Sequence, residues 1–173
     1  MRWTLPALAC LAASLAAPDL SAADNGKALE AFQPSLTAVP AGPLPLAGSL
    51  YVPVYSTVAL NSAVSVRFTV TLSIRNVSEQ QPLVVRRIAY FDTGGKPLES
   101  YLAEPVAMKP MATVEVTVPV TDSRGGSGAN FIIEWAAPEG GDEPLVEALM
   151  LGNLAGASYS FTSAGRPIRG PSR

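Results

Sequence analysis

The sequence predicts an all-β protein, an antiparallel β-sandwich of about seven or eight strands with an immunoglobulin-like or fibronectin-like arrangement. Two observations support this prediction. From Leu50 onward, apolar and polar residues alternate with a period of two in several short segments. Glycine, proline and asparagine separate these segments at short intervals, as in antiparallel sheets joined by tight turns.

The clearest strand is "VSVRFTVTLSIR", residues 64–75. Its apolar residues fall on one face and its polar residues on the other. The apolar face contains Val64, Val66, Phe68, Val70, Leu72 and Ile74. β-Branched residues occur on both faces, which also favours a strand with one side buried.

Six other segments carry the same alternation. They are residues 51–56, 83–91, 97–103, 113–120, 130–137 and 158–163. Pro53 has no backbone N–H, so we expect the first of these strands to lie at a sheet edge. Trp135 falls on the apolar side of its strand and is expected in the core.

One further segment, "DEPLVEALMLGN" at residues 142–153, is compatible with a helix or a strand. Asp142 would cap a helix, Pro144 would occupy its first turn and Gly152 would end it. As a strand, it would be a nearly continuous apolar run buried on both faces. The neighbouring strand patterns favour the strand.

The first residues have the composition of a secretory signal peptide. Arg2 precedes an apolar run, and small residues lead to a cleavage point after Ala23. We therefore divide the chain into a signal peptide at 1–23, a proline-rich linker or arm at 24–48, a β-sandwich domain at 49–168 and a tail at 169–173. No segment of the mature chain is long and apolar enough to span a membrane. The expected location is periplasmic or secreted.

Cys10 is the single cysteine and lies inside this leader. A lipoprotein signal would instead lipidate Cys10 and anchor the protein in the envelope. Cleavage there would leave an apolar core shorter than a signal peptide normally has. A discarded leader residue is therefore the favoured interpretation, with lipid anchoring as the alternative.

The composition excludes several kinds of chemistry. Histidine is absent, and no cysteine remains once the leader is removed. Ser-His-Asp and Cys-His relays, and metal sites built on imidazole or thiolate, are therefore excluded. The net charge of −2 gives no reason to expect a nucleic-acid partner. We expect no metal and no cofactor, and any acid–base catalysis would fall mainly to carboxylates.

Asp92 is the one weak catalytic candidate. "DTG" at residues 92–94 is the tripeptide of aspartic proteases, which need two such carboxylates sharing a proton. Since the chain has one copy, this alternative requires a homodimer. The favoured interpretation is a hairpin turn, because an Asp followed by two glycines before Lys96 suits a tight turn between strands.

Three other motifs have simple structural explanations. "RGGSGAN" at 124–130 could form an anion-binding nest but is typical of a flexible loop. Glu139, Asp142 and Glu143 lack the spacing of a calcium loop. Asn76-Val77-Ser78 is a formal glycosylation sequon, which matters only if the host glycosylates exported chains.

Polar residues that interrupt apolar patterns beside glycines mark the candidate binding residues. Ligand-binding loops of sandwiches occupy such positions. Glu134 would either face water or pair with Arg86, Arg87 or Arg166. The candidates are Asp92, Arg124, Asn130, Glu134 and Arg166.

Several ordered motifs, "LYVPVYSTV", "LSIRN", "YFDTGGK", "GGSGANFIIEW", "EPLVEALMLG" and "YSFTSAGRPI", resemble the bacterial exported family catalogued as domain of unknown function 3124. The resemblance covers Leu50 to Ile168. It implies an envelope or secreted protein and no catalytic residues. It also implies that Asp92 belongs to a "Y-Asp-Thr-x-Gly" feature of the family.

Together these observations predict an exported binding or structural module of the cell envelope without enzymatic activity. The expected partner is an envelope protein or a small ligand.

Overall fold

The computed structural model describes residues 28–168. The predicted signal peptide with Cys10, the first residues of the predicted arm and the tail at 169–173 lie outside the described residues.

The described chain forms twelve β-strands and two short 3-10 helices, η1 at Glu30–Ser35 and η2 at Gly126–Gly128. The strands are β1 (Leu36–Thr37), β2 (Leu46–Pro53), β3 (Thr57–Ala59), β4 (Ser65–Arg75), β5 (Leu83–Phe91), β6 (Pro97–Ser100), β7 (Val106–Met108), β8 (Thr113–Val118), β9 (Asn130–Ala137), β10 (Leu145–Leu154), β11 (Ala157–Ala164) and β12 (Arg166–Ile168).

The strands form two antiparallel sheets. The seven-stranded sheet has the order β1-β7-β5-β9-β2-β12, with β6 also paired to β5. The five-stranded sheet has the order β11-β10-β4-β3, with β8 also paired to β4. The chain crosses from the second sheet to the first at Gly165, between β11 and β12.

One hydrophobic core lies between the two sheets. The seven-stranded sheet contributes Ile88, Phe131 and Ile133, and the five-stranded sheet contributes Leu72 and Met150, all of them buried. Trp135 also belongs to this core. The β-sandwich that the alternating patterns predict is therefore confirmed.

The strand number is higher than expected. Eight strands have four or more residues, and they correspond to the seven alternating segments and the ambiguous one. The four additional strands are β1, β3, β7 and β12, each of two or three residues. Strands this short contain too few residues to show a period of two, so the sequence pattern does not reveal them.

Residues 145–154 form a strand, as favoured, but it is not buried on both faces. Val146, Ala148 and Met150 point into the core, whereas Leu149 and Leu151 are exposed on the other face. Buried and exposed residues therefore alternate regularly along this strand. The sequence does not show the alternation, because leucine also occupies solvent-facing positions.

The prediction that Pro53 marks an edge strand is wrong, since β2 lies between β9 and β12. Pairing with β12 involves only Ser49, Leu50 and Tyr51. Pro53 lies beyond the end of β12, so its missing N–H removes no bond to that strand. At Pro53, β2 therefore has no partner on that side, and prolines in sheets are confined to such unpaired positions.

Residues 28–48 pack against the sandwich. Leu29 is buried in the core, and Phe32 and Leu36 pack against it. Leu44 covers a small apolar cluster of Val84, Ala107 and Ala136 on the seven-stranded sheet. Residues 46–48 already belong to β2. In residues 28–168 no helix is long and apolar enough to cross a membrane.

Candidate functional site

Three loops meet at one end of the sandwich. They are the β2–β3 connection, the β5–β6 hairpin and the β8–β9 loop, and we call them the loop cluster (residues 54–56, 92–96 and 119–129). Two hydroxyl side chains hold the loop cluster together. The Thr93 hydroxyl donates to the Gly125 carbonyl at 2.9 Å and accepts from the Gly128 N–H at 2.9 Å.

Ser56 makes the second connection within the loop cluster. Its hydroxyl accepts from the Gly126 N–H at 2.8 Å, and its own N–H donates to the Gly126 carbonyl at 3.0 Å. The Gly126 and Gly128 amides are thus already bonded to protein hydroxyls. An anion nest would need such amides free, so the glycines of this loop serve the packing of the loops instead.

Asp92 closes the β5–β6 hairpin. One oxygen of its carboxylate, Oδ1, accepts from the N–H groups of Gly94 at 2.9 Å and Lys96 at 2.8 Å. Gly95 has a φ of +79°, which glycine adopts without strain. Asp-Thr-Gly-Gly therefore has the geometry of a hairpin turn, and its carboxylate caps the turn.

Arg124 forms an ion pair with Asp122 within the β8–β9 loop. Its Nε and Nη2 atoms donate to the two carboxylate oxygens at 2.9 and 2.7 Å. The hydrogen bond to Arg124 lowers the pKa of Asp122. The two parallel hydrogen bonds orient the Arg124 guanidinium. Arg124 is nevertheless exposed to solvent.

Tyr90 and Tyr101 lie beneath the loop cluster. Burial raises the pKa of both phenols. The neighbouring Ser56 hydroxyl partly offsets this effect at Tyr90, and the buried Tyr90 hydroxyl has no hydrogen-bond partner. The Tyr90 ring stacks on Phe131, with 4.9 Å between the centroids. We call the packed rings of Tyr90, Tyr101 and Phe131 the apolar floor of the loop cluster.

The outer face of the seven-stranded sheet carries the other polar candidates. We define the outer face by nine of the outward residues of β2, β5, β9 and β12, namely Ser49, Tyr51, Arg87, Phe91, Asn130, Ile132, Glu134, Arg166 and Ile168. Glu134 and Arg87 are direct cross-strand partners, and their side chains form an ion pair at 3.0 Å. The Arg87 guanidinium also lies 5.8 Å from the centroid of the Phe91 ring.

A β-bulge in β5 orients these side chains. The register with β9 shifts between Val85 and Arg87, so Arg86 has no partner of its own. The extra residue allows Val85 and Ile88 both to be buried while Arg86 and Arg87 are exposed. Bulges commonly redirect side chains in this way. Two consecutive arginines within an apolar strand pattern are the sequence signal for this bulge.

The five sequence candidates fall into two adjacent regions. Asp92 and Arg124 lie in the loop cluster, whereas Glu134 and Arg166 lie on the outer face. Asn130 begins β9 beside Phe91 and connects the two regions. Glu134 pairs with Arg87 rather than with Arg86 or Arg166. Arg166 lies opposite Tyr51 on the neighbouring strand.

The remaining motifs do not form a site. Glu139, Asp142 and Glu143 are exposed, and among residues 28–168 no group of three acidic, histidine or cysteine side chains could hold a metal ion. Asn76 of the sequon is buried. Its side-chain amide donates to the carbonyls of Gln81 at 2.8 Å and Lys109 at 3.0 Å, so it connects two loops.

One solved structure, described as that of Thermotoga maritima 1070, has a TM-score of 0.41 and 12% sequence identity to this chain. The match covers 69% of this chain and 92% of that one. No curated protein matches the sequence.

The family model described as "Protein of unknown function (DUF3124)" matches residues 47–168, which include both the loop cluster and the outer face. Because this match covers more than half of the chain, the protein belongs to the DUF3124 family.

Proposed function

We propose that the protein is an exported, non-enzymatic module of the cell envelope that binds another envelope protein through the outer face and the adjoining loop cluster. The first 23 residues support export, because they have the order of a secretory signal peptide. The absence of histidine, and of cysteine after the leader, supports binding over catalysis.

One observation carries the proposal: Arg87, Phe91 and Glu134 form an ordered and partly exposed group on rigid strands. The ion pair and the ring hold the guanidinium in place, so binding would cost little side-chain entropy. Aromatic residues and arginine are also the types enriched where proteins contact one another. Tyr51 and Arg166 extend the same surface toward β12.

The shape of this surface favours a protein partner over a small ligand. Sites for small molecules are concave and enclose most of the ligand. A sheet face is broad and open, as protein interfaces are. The loop cluster adds Asp92 and Arg124 at its rim, where exposed charges contribute to specificity and association rate.

The test compares two sets of variants in a capture experiment. The first set changes the outer face and consists of Arg87→Ala, Glu134→Ala and Arg166→Ala. The second set is the matched control and changes the opposite sheet through Thr69→Ala and Thr71→Ala. Each purified chain is immobilised and exposed to envelope extract, and the affinity of any captured protein is then measured. We expect a defined partner that the control retains and that the outer-face variant loses by at least about tenfold.

A partner retained equally by both sets would overturn the assignment to the outer face. Failure to capture any protein would overturn the binding role itself. The intact mass of the exported chain tests localisation separately. A product beginning at residue 24 supports the signal peptide, and an acylated product beginning at Cys10 would make the protein lipid-anchored.

A further inference from the structure

The edge strand β11 of the five-stranded sheet is unprotected except at its carboxyl end, where the Ser163 hydroxyl donates to the Pro53 carbonyl of β2. Its sequence, "ASYSFTSA", contains no charged residue and no proline over eight residues. Within residues 28–168 it pairs with β10 on one side and with no strand on the other. Proteins usually shield long edges with charges, prolines, bulges or covering segments, because an open edge recruits further strands.

The other sheet edges are protected. β1, β3, β6 and β12 have only two to four residues each. β6 carries Glu99, and β12 carries Arg166 and Pro167. The 3-10 helix η1 packs against β8. The lack of protection is therefore specific to β11.

The hairpin geometry identifies the free backbone groups of β11. A two-residue turn at Ala155 and Gly156 joins β10 to β11, so the closing pair Leu154 and Ala157 is hydrogen-bonded. Hydrogen-bonded pairs then alternate along the strand. The Gly165 N–H donates to the Val146 carbonyl at 2.8 Å, which continues the same alternation. The backbone groups of Ser158, Ser160 and Thr162 consequently point away from β10.

Two aromatic side chains on β11 are incompletely covered. Tyr159 and Phe161 face the inner side of the sheet, yet 36% and 37% of their surfaces are exposed. The Phe161 ring packs edge-on against Phe68 at 5.2 Å and Tyr55 at 5.5 Å. The rest of each ring extends beyond the edge of the core.

We propose that β11 pairs antiparallel with β11 of a second copy of this chain, about a two-fold axis at Ser160. This register places Ser160 opposite its own copy and Ser158 opposite Thr162, and it forms about six backbone hydrogen bonds. It also places Tyr159 opposite Phe161 of the other copy. That pair is not hydrogen-bonded, so its side chains approach closely and cover one another.

A second copy fits this edge for two reasons. The strand is uncharged, so identical strands do not repel each other. The register is also self-complementary, since every exposed group on one strand meets a suitable group on its copy. The paired edge joins two five-stranded sheets into one continuous sheet. The proposal is independent of the outer face, which belongs to the other sheet.

The test uses charge reversal at the two-fold axis. Ser160→Lys and Ser160→Glu each place like charges directly opposite one another, which destabilises a strand pair. Thr117→Lys is the matched control, because Thr117 is exposed on β8, at the opposite edge of the same sheet. Sedimentation velocity measures the dissociation constant of each chain and of an equimolar mixture of the two Ser160 variants.

We expect the unmodified chain and Thr117→Lys to dimerise alike, and each Ser160 variant to dimerise at least about tenfold more weakly. The mixture should regain the dimer, because Lys and Glu then lie opposite each other. Its recovery would also show that both variants fold. A chain that stays monomeric to about 1 mM would overturn the proposal and leave the edge to a strand of another protein. Ser160 variants that dimerise like the unmodified chain would overturn it as well.

Discussion

The Tyr90 hydroxyl occupies the space in which a side chain at Gly125 would begin. A Cβ atom on Gly125 would lie 1.9 Å from that oxygen and 2.7 Å from the Cβ of Ala129. The backbone of Gly125 has φ −65° and ψ −38°, which any residue can adopt. Glycine is therefore required here by space, and the contact joins the β8–β9 loop to the apolar floor.

Gly125→Ala should consequently destabilise the fold. The added methyl group must displace the Tyr90 ring or the loop, and such overpacking costs about 2–3 kcal/mol. Urea denaturation measures the change in the free energy of unfolding. Gly42→Ala is the control, because a Cβ there meets nothing within 4 Å. Equal midpoints for the two variants would contradict this account of the loop cluster.

Tyr90→Phe should leave the free energy of unfolding unchanged or raise it by up to about 1 kcal/mol. The buried hydroxyl has no hydrogen-bond partner, so its removal relieves a desolvation cost and leaves no other group unsatisfied. In the double variant with Gly125→Ala, the smaller ring should recover part of the lost stability. A double-mutant cycle measures this coupling, and simple additivity would show that the two residues do not interact.

Burial of Tyr90 and Tyr101 also predicts a loss of stability in alkaline solution. Both phenols have a raised pKa in the folded chain. Above a pH of about 10 the unfolded chain loses these protons while the folded chain keeps them. The folded state then binds more protons, so stability falls as the pH rises. The decline should be shallower in Tyr90→Phe, measured as the urea midpoint against pH, and an unchanged slope would contradict the prediction.

The sequence predicts the long strands well because alternation records which face is buried. It also correctly suggests that Asp92 begins a turn, since Asp and glycine have local conformational preferences. The bulge at Arg86 and the position of β2 depend on how strands pair across the sheets. Local patterns do not specify pairing, so the sequence alone does not show that Asn130, Glu134 and Arg166 lie on one face, although it identifies each of them as a candidate.

The role of Asn76 illustrates the same limit. The sequence shows Asn76 only as part of a formal sequon, whereas in the structure it is buried and donates to carbonyls of two different loops. Its Oδ1 also accepts from the Ser78 N–H at 3.1 Å. Asn76→Ala should lower the free energy of unfolding by about 2–3 kcal/mol, because it leaves buried backbone groups without partners. The exposed Gln80→Ala is the control for urea denaturation, and a matching midpoint would contradict the role assigned to Asn76.

The Asp122–Arg124 pair predicts the behaviour in acid. The pKa of Asp122 is lowered in the folded chain, mainly by its hydrogen bond with Arg124. Its contribution to stability is therefore present above the ordinary carboxyl pKa of about 4 and is lost as the pH falls through the folded value. Arg124→Gln should raise the pKa of Asp122 and reduce this acid-dependent loss. NMR titration of the carboxyl carbon measures the pKa, and an unchanged value would exclude Arg124 as the cause.

The turn before β11 offers a change that should stabilise the fold. Ala155 has a φ of +49°, a left-handed conformation that costs most residues about 1–2 kcal/mol, and Gly156 follows at +84°. Asparagine adopts this conformation more readily, and Asn-Gly is the preferred pair for a two-residue hairpin turn. Ala155→Asn should therefore raise the free energy of unfolding by about 0.5–1 kcal/mol. Gly156→Ala provides the opposite change and should destabilise the chain. Urea denaturation compares the two variants. If Ala155→Asn were less stable than the unmodified chain, strain in this turn would not limit the stability of the β10–β11 hairpin.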